Sequence, residues 1–181
     1  MEKHHLERVL FVVGSRHCGK ITQLRSIFRD VRFGTRVGIP RERKLDDFHR
    51  LTNDCFLYLR LSSPHELRES PKGFLRKAEG KIKMAHSEFG TRWNFASALQ
   101  ADASNKMPAA VETCSTFVEH FRPERTRVVF LNPDRKGDFL AANSILHDAH
   151  RLRRIPSLEM CWIDARDSEA NGLFLADFFD F

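Results

Sequence analysis

The residues best placed to do chemistry stand together near the start of the chain, in Gly14-Ser15-Arg16-His17-Cys18-Gly19-Lys20-Ile21-Thr22. Two glycines separated by four residues and followed by a lysine make a G-x-x-x-x-G-K frame. Glycine lets the backbone wrap tightly enough for successive N–H groups to converge on one anion. A helix that starts there adds partial positive charge, and the lysine adds a full one. The strict pattern places Ser or Thr directly after the lysine, where its hydroxyl holds Mg²⁺. Here that position is Ile21, and the hydroxyl comes one residue later, at Thr22. The chemistry expected is binding of a polyphosphate, and turnover rests on what replaces the displaced hydroxyl.

Such a loop needs a strand before it and a helix after it. Residues 9–13 are an uninterrupted apolar run, as in a strand buried on both faces. Residues 20–30 place Ile21, Leu24, Ile27 and Phe28 on one side of a helix. Beyond them strand-like and helix-like segments alternate. A short strand is predicted over 36–39, a polar loop or mobile helical excursion over 41–53, and a strand over 55–61. Ser63 and Pro64 predict a helix start, with the helix running to about residue 87 and broken near 71–73. Strands follow over 93–100, 127–131 and 158–163, and helices over 108–121, 138–154 and 169–179. This alternation predicts a three-layer α/β sandwich with a mostly parallel central sheet of about five or six strands, as one domain over 1–181.

The run Gly19-Lys20-Ile21-Thr22-Gln23-Leu24 resembles the loop ending of nucleotide kinases in the P-loop NTPase superfamily. Adenylate-kinase-like members read G-K-G-T-Q there, and thymidylate-kinase-like members G-K-T-T-Q. The resemblance spans residues 9–24 and the general strand–helix alternation. It implies ATP or another NTP as ligand, with Mg²⁺, and a nucleotide or small-molecule acceptor. By that resemblance residues 14–20 wrap the β-phosphate, Lys20 neutralises β and γ oxygens, and Thr22 reaches phosphate or a metal-bound water. Ile21 cannot ligate metal. Arg16, His17 and Cys18 replace the small residues common in such loops, and Arg16 could add charge at the γ-phosphate.

Phosphoryl transfer also needs a carboxylate near the metal. Asp164 follows Met-Cys-Trp-Ile and best fits an apolar strand ending in an acid; Asp134 follows Val-Val-Phe-Leu-Asn-Pro; Asp102 follows a less apolar strand. Arginines that neutralise transition-state charge have many candidates, Arg122, Arg125, Arg127, Arg135 and Arg151 among them. His147 and His150 share a helix face without a third ligand at metal-site spacing.

The chain has 181 residues, and its hydrophobic share of 41% with 30% charged residues fits an ordinary globular protein. No apolar run approaches the ~20 residues that span a bilayer. The charged start predicts no signal peptide, and four scattered cysteines without a C-x-x-C pair predict reduced thiols in a cytoplasmic protein. Cys18 stands apart, because a thiol at a helix N-terminus can ionise more readily. Net charge is +6, and residues 65–92 carry seven Lys or Arg against four Glu. Such an excess suits polyphosphate or nucleic acid, but no aromatic interleaving or reading motif supports nucleic acid. Two readings lead: an enzyme that transfers or hydrolyses a γ-phosphoryl group, and a non-catalytic nucleotide-binding module that regulates or assembles with a protein partner.

Overall fold

The apolar run near the start of the chain becomes the central strand of one sheet. The computed structural model describes residues 5–33, 38–41, 45, 47–89 and 92–180. The strands are β1 (Leu6–Gly14), β2 (Phe48–Arg50), β3 (Cys55–Arg60), β4 (Arg92–Gln100), β5 (Arg125–Leu131) and β6 (Leu158–Ile163). Their order across the sheet is β2-β3-β4-β1-β5-β6. Only β2 runs antiparallel to its neighbour; the other pairings are parallel. Val9 of β1 faces Phe95 of β4 on one side and Thr126 of β5 on the other.

Successive β1 side chains enter different cores, as strand geometry requires. Val9, Phe11 and Val13 join one cluster with Phe74, Ala78 and Ile82 of α2 (Pro71–Phe89) and with Val111 and Phe117 of α3 (Ala110–Phe121). Leu152 of α4 (Ala142–Leu152) belongs to the same cluster. Leu10 and Val12 join the opposite cluster, with Leu24 of α1 (Lys20–Ser26) and with Leu175 and Phe179 of α5 (Ser168–Phe179). The chain is therefore an α/β protein with helices on both faces of a mostly parallel sheet.

Several of the sixteen phenylalanines pack together in the first cluster. Phe117 lies 4.8 Å from Phe95 in a stacked pair and 5.3 Å from Phe11 edge-on, with Phe74 at 5.6 Å. The other face of β4 carries Ala96 and Ala98 instead. Large rings fill the space under α2 and α3, whereas small residues let α1 approach the sheet. The contact between α1 and α5 is closer still. A Cβ on Gly172 would lie 2.2 Å from the Ser26 carbonyl oxygen.

Several elements differ from the sequence reading, each for a local reason. The 41–53 segment contains β2, whose Phe48 packs against Tyr58 and Trp93 as an added edge strand. Of the strand predicted over 36–39, residues 36 and 37 lie outside the described residues, and Gly38 and Ile39 are not in a strand. Ser63 and Glu66 begin a turn that stops at Arg68, which takes φ +54°, and α2 starts afresh at Pro71. Helix α1 ends at Ser26, whose hydroxyl donates to the Gln23 carbonyl, and a 3₁₀ turn of Ile27–Arg29 follows. Helix α4 begins at Ala142 rather than at 138 because Asp134 and Asn132 hold the backbone N–H groups of Asp138 and Leu140. Among the described residues no helix is long and apolar enough to cross a membrane.

Candidate functional site

The chain leaves β1 towards β3 on one side of the sheet and leaves β5 towards β6 on the other. Adjacent parallel strands whose connections diverge in this way open a crevice at their carboxyl ends, where α/β sheets bind ligands. The 14–20 loop caps β1 there, and residues 132–138 cap β5. The two loops are joined directly: the Arg135 backbone N–H donates to the Cys18 carbonyl at 3.1 Å.

The shape of the 14–20 loop follows from its sequence. A Cβ on Gly14 would lie 2.4 Å from the Cys18 sulfur, so only glycine fits. Gly19 adopts φ +107°, a conformation that L side chains rarely take. The Lys20 ammonium is folded into the loop and buried. It donates to the Ser15 carbonyl at 2.6 Å and to that of Gly14 at 3.3 Å, with the Cys18 sulfur at 3.9 Å. An ammonium has three donors; two meet carbonyls and the third meets only a weak sulfur acceptor. Beside it lies a cavity of about 200 Å³ lined by His17, Gly19, Lys20, Ile21, Glu66 and Arg135. That is several times the ~30 Å³ of one liquid water.

The other sequence candidates are dispersed around this crevice. Arg16 is exposed and lines a second cavity, described below. Ile21 is 38% exposed on the lysine's cavity, an apolar group where a metal-holding hydroxyl was sought. Thr22 lines a third cavity of about 640 Å³ with Arg25, Pro40, Arg41, Arg135 and Ser168. Asp134 is buried, and its Oδ1 accepts the backbone N–H groups of Lys136 at 2.7 Å and Asp138 at 3.0 Å, so it shapes its own loop. Asp164 is clasped by Arg166 at 2.5 Å, and those hydrogen bonds hold its carboxyl below the usual range. Asp102 is exposed beyond β4. The Cys18 expectation is reversed: burial raises its pKa, outweighing the nearby Lys20 charge.

No protein-family model matches this chain, and comparison with curated proteins and with solved structures returns no match.

Two residues that directly follow the predicted Ser63–Pro64 helix start prove central. His65 is fully buried where the ends of β3 and β4 meet the 101–108 segment. Its Nε2 lies 2.7 Å from the Pro108 carbonyl, which can only accept, so Nε2 carries the proton. Nδ1 is then the acceptor for the Ser63 hydroxyl at 3.0 Å and the Gln100 N–H at 3.4 Å. The Asn105 amide donates to the His65 carbonyl at 2.9 Å. Burial, helped by the Lys20 charge, lowers the His65 pKa and keeps the ring neutral. His65 is thus a positioning residue that fixes the wall of the second cavity. Glu66, next in sequence, lines both that cavity and the lysine's. Its signal was visible as the Ser63-x-x-Glu66 capping pattern, which says nothing of where the carboxylate faces.

The three cavities carry Lys20, Arg16, Arg68, Arg25, Arg41 and Arg135 against two acids, Glu66 in the first two and Glu169 in the third. Such a field attracts polyanions. Among the described residues no three His, Cys, Asp or Glu side chains converge on one point. Mg²⁺ is ordinarily held by one or two carboxylates together with substrate phosphates; Thr22 lines the third cavity, whereas Glu66 lines the other two.

Proposed function

We propose that this protein binds the polyphosphate of a nucleoside triphosphate, ATP or another NTP, in its 14–20 loop and transfers or hydrolyses the γ-phosphoryl group. The supporting observation is the buried Lys20 ammonium, held inside the loop by the Ser15 and Gly14 carbonyls at the point where connections diverge. A phosphate oxygen replaces the Cys18 sulfur as its third acceptor, exchanging a weak partner for a charged one. Gly14 and Gly19 allow the backbone amides to close on the same anion, and Arg135 supplies further positive charge from the β5 side. When bound, Mg²⁺ would neutralise phosphate charge, with the Thr22 hydroxyl available to it.

Ile21 favours a second reading, in which the loop holds the nucleotide without turnover and serves regulation or assembly. Titration calorimetry separates the cases. The full chain binds Mg²⁺–ATP, and Lys20→Ala weakens that binding at least ~10-fold, the least expected when a charged hydrogen bond of about 1.5–3 kcal/mol is lost. Unchanged affinity in Lys20→Ala removes both readings. Affinity without release of phosphate or formation of a phosphorylated product selects the second.

A further inference from the structure

The cavity on the far side of Glu66 has a chemistry of its own. It measures about 320 Å³, and Arg16, Glu66, Arg68, Gln100, Ser104 and Asn105 line it together with the buried His65. This is the lower end of the ~300–1,000 Å³ range of small-molecule sites. Among the described residues no Phe, Tyr or Trp ring lines it, so they offer no platform on which a nucleobase could stack. Instead it presents two guanidiniums, a carboxylate, two side-chain amides and a hydroxyl. Neither Arg16 nor Arg68 has an ion-pair partner among the described residues. Among the described residues the Glu66 carboxylate accepts only a long 3.4 Å bond, from the Ser63 N–H. Its walls are built before any ligand arrives. Residues 104–107 close a tight turn through paired Ser104 and Met107 backbone bonds, at 3.0 and 3.1 Å. His65 ties that segment to the ends of β3 and β4.

We propose that this cavity is the acceptor subsite, and that the acceptor is a small hydroxylated oxyanion, a polyol phosphate or a hydroxy acid, rather than a nucleotide. The proposal rests on the reading of the 14–20 loop as a triphosphate site. Arg16 and Arg68 hold the anionic group of the acceptor, and Gln100, Ser104 and Asn105 hydrogen-bond its hydroxyls. Glu66, which borders both cavities, faces the hydroxyl that reacts. In the transfer the acceptor oxygen forms a bond to the γ-phosphorus. The bond from that phosphorus to the β–γ bridging oxygen breaks, and its electron pair leaves with the nucleoside diphosphate. The hydroxyl proton passes to a Glu66 carboxylate oxygen. His65 takes no part in proton transfer, because both ring nitrogens are engaged in holding the wall.

The test uses the full chain with Mg²⁺–ATP and three acceptor sets, followed by phosphorus NMR: glycerol phosphates, short hydroxy acids such as glycerate, and nucleoside monophosphates. Phosphorylation of the first or second set, with the nucleotides inert, is the expected result, and the set that reacts tells phosphate from carboxylate. Arg68→Ala then raises the acceptor KM at least ~10-fold and weakens ATP binding by a smaller factor. Glu66→Gln lowers kcat ~100-fold or more, as loss of a general base does. Preference for nucleotide acceptors overturns the proposal, and so do inertness to all three sets and an unmoved acceptor KM in Arg68→Ala. If ATP binding itself is absent, the triphosphate reading fails first; binding without transfer sinks only the acceptor assignment. Both side chains are exposed, so neither variant should unfold the chain.

Discussion

The Arg135 amide donates to the Cys18 carbonyl at 3.1 Å and so binds the loop after β5 to the loop after β1. That bond fixes the 14–20 loop from outside, while the Lys20 ammonium fixes it from inside. Gly14 stands where both constraints meet, over the Cys18 sulfur.

Gly14→Ala tests this fit. The new Cβ would overlap the Cys18 sulfur at 2.4 Å, and Leu131 at 3.4 Å blocks retreat. Overpacking of this kind costs about 1–3 kcal/mol, read as a shift in the urea midpoint, and nucleotide affinity falls with it. Cys18→Ala in the same chain removes the obstructing atom and restores part of both losses. Additive effects of the two substitutions would show that the contact does not shape the loop.

Gly172→Ala probes the opposite end of α1. Its Cβ would meet the Ser26 carbonyl oxygen at 2.2 Å and the Ser26 Cβ at 2.9 Å, so α5 must move away from α1. The first obstacle is backbone, which cannot rotate aside. We expect a loss of about 2–3 kcal/mol in urea unfolding; a loss below ~0.5 kcal/mol would mean the helices separate freely.

The neutral His65 makes stability pH-dependent in one direction. Its folded pKa lies below the ordinary 6.5 because burial disfavours the charged ring. Its contribution is therefore complete above pH ~6.5 and is lost as pH falls through the lower folded value. The melting temperature declines from pH 7 towards pH 5, and His65→Gln, less stable at pH 7.5, shows a shallower decline. Equal slopes for the two proteins would place the acid sensitivity elsewhere.

Ile21→Ser supplies the hydroxyl that the loop lacks. The Ile21 side chain is partly exposed on the Lys20 cavity, so the change leaves no buried void. We expect Mg²⁺-dependent ATP affinity to rise several-fold, while affinity in excess chelator stays the same. An equal change with and without Mg²⁺ would show that position 21 does not reach the metal.

The sequence by itself determined the layered architecture. Apolar runs such as 128–131 and the 3.6-residue spacing in 111–121 encode burial locally, and alternating strands and helices leave few arrangements besides a parallel sheet. The 14–20 loop was legible for the same reason: glycines and lysine act within seven residues of chain. The partners of that loop were not. Asp134 and Asp164 looked suitable at strand ends, yet one carboxylate turns back on its own loop and the other on Arg166. Glu66, Arg68 and Arg135 come from connections about 50–120 residues away in the chain. Only the strand order, with β4 inserted between β1 and β3 and β5 beside β1, carries them to the same crevice. Strand order follows from long-range packing, which no local pattern records, and the acid that faces the lysine's cavity was therefore decided by tertiary structure alone.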